Sequence, residues 1–361
     1  MIIICFALIL ISGCSDKYNP DEYTLITQNA PFPTEQWSKA LPEELGIDSS
    51  ILDKADKLIK REYPNFKSML VIRKGYLVYE KFYNDFYPKQ LNSVYSVTKS
   101  VMSALTGIAI EQGLINSIKD KVSDYIPQYF IDIDDGRKKD ITIEHVLTMM
   151  GGLSSIDENY TTYFLAQDWV EAALKMPMNN APGEAFEYNT GLTQLLSAVI
   201  EETSDMSVLE YANEYLFSKI GMNVNRWDHD EFGSHGGGFG LYLTSYDMAR
   251  FGYLYMNKGN WDGQQIIPEQ WVLDSTAKKI QISETQDYGY LFSLEKITDT
   301  VNDKTYSMYQ AYGSGGQIIM VIPELDLLIV ISCNASISPT VKPMTRDIIT
   351  DYILPSVYVI E

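Results

Sequence analysis

Tyr95-Ser96-Val97-Thr98-Lys99-Ser100-Val101-Met102-Ser103 is the stretch around which the chain is organised. A polar Ser-x-x-Lys opens an apolar run, Val101 to Ile110, that reads as a buried helix. Residues three apart share a helix face, so the Ser96 hydroxyl and the Lys99 amine can touch. A hydroxyl is a poor nucleophile until a neighbouring base takes its proton. A lysine desolvated against apolar surface loses its charge more easily and can be that base.

The same spacing recurs at Ser275/Lys278 and Ser293/Lys296, and context separates the three. Ser293 lies in Tyr288-Gly-Tyr-Leu-Phe-Ser-Leu-Glu, which reads as a strand, where residues three apart point to opposite faces. Ser275/Lys278 falls in a polar helix end or loop, where a lysine stays solvated and protonated. Only Ser96/Lys99 heads a buried helix.

Upstream, Asp48-Ser-Ser50 caps an amphipathic helix that runs to about Arg61. Lys67–Ile72 and Tyr76–Phe82 read as strands joined by a turn at Lys74-Gly75. Downstream, from Ile115 to Lys279, the pattern is helical. Candidate helices are Thr142–Met150, Asp168–Lys175, Leu192–Glu202, Val208–Lys219, Ser245–Met256 and Pro268–Leu273. From Tyr288 the pattern turns to strands: Tyr288–Leu294, Tyr306–Ala311, Gln317–Ile322 and Asp326–Ser332, the last two forming a hairpin around Pro323-Glu-Leu325. Thr340–Leu354 reads as a closing helix. Hairpin connections make the sheet antiparallel, so the fold class is α+β with the early hairpin and late strands in one sheet. The expected division is a leader at 1–14, a tether at 15–42 and one domain at 43–361. Its sheet part is 43–114 and 280–361, and its helical part is 115–279. Ser96 then sits where the two parts meet, a common place for a cleft.

The 361 residues carry a formal net charge of −20. That balance argues against nucleic acid, whose phosphates need clustered Lys and Arg, and against electrostatic docking on anionic lipid. Ile2–Ile11 is apolar but too short to span a bilayer; it suits the core of a signal peptide. Ile11-Ser-Gly-Cys14 follows, similar to the lipobox of bacterial lipoproteins. The expectation is a chain anchored by lipid on Cys14 at the extracytoplasmic face of a bacterial envelope, with Ser15 to Pro42 as its tether. Cys5 lies in the leader, and Cys333 sits in an apolar strand as a small core residue. His145, His229 and His235 lack metal-site spacing, and Asp228-His-Asp-Glu231 reads as a solvated acidic loop.

Two further stretches bear on chemistry. Ala181-Pro-Gly-Glu-Ala-Phe-Glu-Tyr188-Asn-Thr190-Gly191 is a turn-rich loop running into a helix, from which Tyr188 can present its phenol. With 26 tyrosines in the chain, position alone does not single it out. Gly313-Ser314-Gly315-Gly316-Gln317 opens a late strand, where small residues let a substrate approach the backbone. It is equally consistent with a tight turn. There is no Gly-x-Ser-x-Gly elbow.

Taken in order, these stretches resemble the penicillin-recognising serine hydrolases. Within them the chain is most similar to the class C β-lactamase-related branch, with its D-alanyl-D-alanine carboxypeptidases, family VIII carboxylesterases and 6-aminohexanoate-oligomer hydrolases. His145-Val-Leu-Thr-Met-Met-Gly-Gly-Leu153, Leu216–Met222, Thr244–Gly252 and Gly315–Pro323 carry the likeness, which covers about Leu41 to Tyr352. The resemblance implies that Ser96 is acylated, Lys99 helps deprotonate it, and Tyr188 shuttles the proton to the leaving group. It places the oxyanion between the N–H groups of Ser96 and Gln317 and implies no metal or organic cofactor.

The departures bear on substrate. Thr190 stands where the branch's second motif has Asn. Ser314-Gly315-Gly316 stands where Lys-Thr-Gly would be, so the cation that grips a carboxylate is absent. The expectation is therefore a serine hydrolase for a small ester or amide, with weak or no β-lactamase activity. The alternatives are a β-lactamase or D-alanyl peptidase, and a non-catalytic binding module on the same fold.

Overall fold

The structure, a computed structural model, describes residues 30–157, 160–336 and 341–358. The expected leader, Cys14 and the first part of the tether lie outside the described residues, as does Thr340 at the start of the closing helix.

Helix α1 (Ser49–Glu62) starts at Asp48, whose carboxylate accepts the N–H of Ser50 at 2.9 Å. Leu52, Ala55 and Ile59 recur along one face and are buried. Strands β1 (Phe66–Arg73) and β2 (Tyr76–Phe82) follow. Lys74 and Gly75 between them both have positive φ, 48° and 82°, the two-residue turn whose twist matches a hairpin.

Helix α2 (Val97–Glu111) is buried from Val97 to Ala109. Helix α3 (Thr190–Ser204) crosses it, and helix α4 (Ser245–Met256) returns to the sheet. Strands β3 (Ile280–Gln281), β4 (Gln286–Tyr288), β5 (Ser293–Asp299), β6 (Lys304–Gly313), β7 (Gln317–Ile322) and β8 (Leu327–Cys333) come next, then helix α5 (Val341–Ile348). A π-helical turn, Ile349–Ile353, continues α5.

The strands form one antiparallel sheet in the order β2-β1-β8-β7-β6-β5-β4-β3. The early hairpin thus joins the late strands through β1 and β8, as the α+β reading expects. Met69, Val71, Ile329 and Ile331 pack with Leu52, Ile59 and Ile349 on one face. Leu70, Ile72, Leu328 and Val330 pack with Val101, Leu105 and Met248 on the other, in a core that continues into the helical part. Strand β6 outruns its partner β5: their pairing stops at Gln310/Ser293, so Ala311, Tyr312 and Gly313 pair with β7 alone.

Three expectations need correction. Residues 30–42 are not a tether. Phe32 packs on Tyr253 and Trp261, Trp37 and Ala40 are buried, and Arg250 donates to the carbonyls of Pro33 and Glu35. Polar and proline residues between these anchors hide their apolar character from a reading by composition.

The strand expected at Tyr288–Leu294 is broken. Leu291 has φ 61°, its N–H donates to Leu147, and its carbonyl accepts the Ser100 hydroxyl at 2.7 Å. These tertiary bonds override the local β pattern. Helix α4 belongs to the sheet layer rather than the helical part. A Cβ on Gly252 would come within 2.6 Å of Ile319 and Leu328, so the helix backbone lies directly on β7 and β8.

Candidate active site

Ser96 occupies the cap position of α2, where a serine normally accepts a backbone N–H of the first turn. It makes no such bond. Tyr95 before it is in the left-handed region, φ 48°, a conformation unfavourable for a bulky residue and held only by its surroundings. Those surroundings are a short pairing of Asn92–Ser93 with Tyr242–Leu243 and a bond from Val94 N–H to the Leu241 carbonyl at 3.0 Å. The Ser96 hydroxyl is left free for other work.

Lys99 lies one turn on, 1% exposed. Its Nζ is 3.0 Å from Ser96 Oγ, 3.0 Å from Thr190 Oγ1 and 2.9 Å from the Gly238 carbonyl oxygen. Burial lowers its pKa from 10.5 to about 7, with Asp157 pulling weakly the other way. A neutral amine has two hydrogens and one lone pair. The Gly238 carbonyl can only accept, so it takes one hydrogen; Thr190 takes the other; the lone pair then faces the Ser96 proton.

Tyr188 lies over this pair, with its ring centroid 5.0 Å from Lys99 Nζ. The residue is 39% exposed. Its hydroxyl is turned inward, where desolvation raises its pKa above that of an ordinary phenol while a hydrogen bond with Ser96 opposes the shift. The loop is pinned on both sides of the tyrosine. Ser155 Oγ donates to the Tyr188 carbonyl at 2.8 Å, and Glu187 accepts the Ser155 N–H at 2.7 Å. Thr190 begins α3. Asn189 caps that helix, and the Thr190 N–H donates to Asp157 at 3.0 Å. Ser96, Lys99, Tyr188 and Thr190 come from two distant parts of the sequence and form one constellation.

Ser96, Lys99 and Tyr188 open on a cleft of about 320 Å³, whereas Thr190 is buried behind Lys99 and does not line it. Phe186, Ile282, Tyr288, Leu291 and Tyr312 supply its apolar surface, and Ser100, Gln286, Ser293, Gln310 and Ser314 its polar surface. Among the described residues, Lys99 is the single charged one lining it.

The loop between β6 and β7 divides the remaining expected residues. Ser314 lines the cleft, whereas Gly316 and Gln317 do not. Gly316 turns the chain at φ 88° and its N–H returns to Gly313. Gln317 is fully buried. Its amide accepts from Asn92 at 2.7 Å and donates to the Cys333 carbonyl at 2.8 Å, tying the hairpin to β8. The N–H groups of Ser96 and Ser314 have no hydrogen-bond partner among the described residues.

Sequence reading missed Gly238. It lies in His235-Gly-Gly-Gly-Phe-Gly240, and that glycine run was the available signal. A Cβ on Gly238 would come within 2.5 Å of Thr193 Oγ1 and 3.0 Å of Lys99 Nζ, so only glycine brings this carbonyl to the amine. Burial pushes the Cys333 thiol up in pKa, in keeping with a core residue. Among the described residues no group of His, Cys, Asp and Glu is placed to hold a metal ion.

A model of the Beta-lactamase family matches residues 67–352. The 6-aminohexanoate-dimer hydrolase of Paenarthrobacter ureafaciens is 23% identical over 234 residues, 57% of this chain and 55% of that protein. A Bacillus anthracis structure assigned as a 6-aminohexanoate-dimer hydrolase superposes with a TM-score of 0.71 at 21% identity, covering 93% of this chain and 92% of that one. The octameric penicillin-binding protein homologue from Pyrococcus abyssi gives 0.64 at 20% identity, covering 85% and 76%.

Proposed function

The chain belongs to the Beta-lactamase family and is a serine hydrolase, and we propose that it cleaves a small ester or amide through an acyl-enzyme on Ser96. The observation that carries this reading is the 3.0 Å contact between Ser96 Oγ and a buried Lys99 whose pKa is lowered to about 7.

Lys99 accepts the Ser96 proton as Oγ attacks the carbonyl carbon. The developing oxyanion faces the free N–H groups of Ser96 and Ser314, of which the second replaces the donor expected at Gln317. Collapse of the adduct breaks the bond to the leaving group. The proton held on Lys99 reaches that group through the Tyr188 hydroxyl. Water then attacks the acyl-enzyme, giving its proton to the same pair, and Ser96 is released.

Among the described residues no cation other than Lys99 lines the cleft, and Lys99 is engaged with Ser96, Thr190 and Gly238. A carboxylate substrate has nothing to grip, which favours uncharged esters and amides over β-lactams. The test pairs the chain with its Ser96→Ala variant on a short-chain p-nitrophenyl ester and a chromogenic cephalosporin. Ester turnover that vanishes in the variant, with little cephalosporin cleavage, is expected. Strong cephalosporin turnover would favour a β-lactamase, and no Ser96-dependent activity would favour a binding module.

Lipid anchoring at Cys14 remains a proposal resting on Ile2–Cys14 alone. Radiolabelled palmitate should enter the full chain expressed in bacteria and not its Cys14→Ala variant.

A further inference from the structure

Asp157 stands behind both partners of the Ser96 hydroxyl. Its carboxylate accepts the Thr190 N–H at 3.0 Å, and Thr190 Oγ1 in turn accepts from Lys99 Nζ at 3.0 Å. Its own N–H donates to Ser155 Oγ at 3.2 Å, the hydroxyl that donates to the Tyr188 carbonyl at 2.8 Å. The residue is exposed, so its charge persists without a desolvation cost. A helix start attracts carboxylates for its own sake. Asn189 already caps α3, however, by accepting the Leu192 N–H at 3.2 Å. Capping also leaves one fact unexplained: among the described residues, Asp157 is the single charged group whose field reaches Lys99.

We propose that Asp157 is a positioning residue of the reaction: it holds Thr190 against Lys99, and its negative charge lets the amine keep the Ser96 proton until Tyr188 delivers it. The inference rests on the acyl-enzyme reading and adds to it a group outside the cleft. When Lys99 takes the Ser96 proton it becomes an ammonium in a desolvated place. Burial disfavours that charge, and a nearby carboxylate favours it. The same carboxylate opposes loss of the Tyr188 proton, so the phenol gives its proton up only as it receives another. The other groups facing the pair are neutral. Gly238 offers a carbonyl, Thr190 a hydroxyl, and Tyr160 a phenol that burial holds protonated. Glu187, beside Tyr188 in the chain, is turned to the Ser155 N–H and the Asn179 amide.

The experiment reads the pH dependence of kcat/KM on a short-chain p-nitrophenyl ester. Asp157→Asn keeps an oxygen for the Thr190 N–H and removes the charge. Loss of a negative charge favours the neutral amine, so the midpoint of the rising limb should move down by about half a pH unit, the size of one solvent-screened charge interaction. At about pH 5.5 the variant should then retain a share of its own plateau about threefold larger than wild type does. The plateau itself should fall, since a weaker base takes the Ser96 proton less readily. Asp157→Glu should keep the wild-type midpoint, and Asp157→Gln serves as its neutral counterpart where the asparagine variant does not fold.

A neutral variant whose midpoint stays within about 0.2 pH unit of wild type, or rises, overturns the proposal. A helix cap alone would lower stability and leave the midpoint in place. Ser96→Ala separates the two readings. If ester turnover survives in that variant, or if the wild type turns over no ester, the acyl-enzyme reading fails and takes this inference with it. If turnover needs Ser96 and the midpoint ignores the charge at position 157, only the role of Asp157 is lost.

Discussion

Lys99 Nζ donates to the carbonyl oxygen of Gly238 at 2.9 Å, across 139 positions of sequence. This bond fixes the amine's orientation, because a carbonyl can take a hydrogen and never supply one. The lone pair of the neutral amine is thereby left for Ser96.

Activity should follow the protonation of Lys99. Burial lowers its pKa to about 7, and only the neutral amine accepts a proton. The ratio kcat/KM on a neutral ester should rise about tenfold per pH unit below about 7 and level off above it. Tyr188 is shifted above the ordinary phenol range and should add no descending limb below about pH 10. Lys99→Arg, which cannot deprotonate, should lose at least about a thousandfold. A pH–rate profile flat from about pH 5 to 9 would contradict the assignment.

The same burial weighs on stability. The folded pKa of Lys99 is depressed, so between about 7 and 10.5 the unfolded chain holds a proton that the folded chain lacks. Stability from this group therefore rises with pH across that window, and the destabilisation is complete below it. A tenfold difference in proton affinity between the folded and unfolded chains corresponds to about 1.4 kcal/mol. Lys99→Met should be inactive, have a higher denaturant midpoint than wild type at about pH 6, and keep less of that lead at about pH 9.

Gly238→Ala should impair the amine without removing it. The added methyl meets Thr193 Oγ1 and Lys99 Nζ. An activity loss of about a hundredfold is expected, since small misplacement of a catalytic group is costly. The pH–rate midpoint should move as well, which loss of folded protein alone would not produce.

Trp37 lies in the segment that composition marks as a tether. It is buried and meets Tyr253 edge-on at 5.7 Å between ring centroids. Trp37→Ala should cost about 3–5 kcal/mol by chemical denaturation. A change below about 1 kcal/mol would mean that the segment does not contribute to the core.

What the sequence made legible was local. Ser96 and Lys99 needed only helical spacing and an apolar context, and Asp48 and Lys74-Gly75 announced a cap and a hairpin turn. The antiparallel sense of the sheet, with the early hairpin and the late strands in one layer, followed from the hairpin connections. The rest depends on contacts between distant segments. Gly238 reaches the site because its chain passes against Thr193. Leu291 leaves the β region because its backbone bonds to Leu147 and Ser100. Ser314 and Gln317 are three residues apart in one hairpin, and which of them meets the cleft is set by the bonds of Gln317 to Asn92 and Cys333.

The overhang of β6 beyond β5 has an evolutionary consequence. Ala311, Tyr312 and Gly313 present a main-chain edge on their β5 side, and a main-chain edge survives almost any substitution. Side chains such as Phe186 and Ile282 can drift and redirect selectivity while that edge stays intact. The architecture thus separates a part that is hard to mutate away from a part that is free to explore, and new substrates become reachable by single steps that leave the reaction in place.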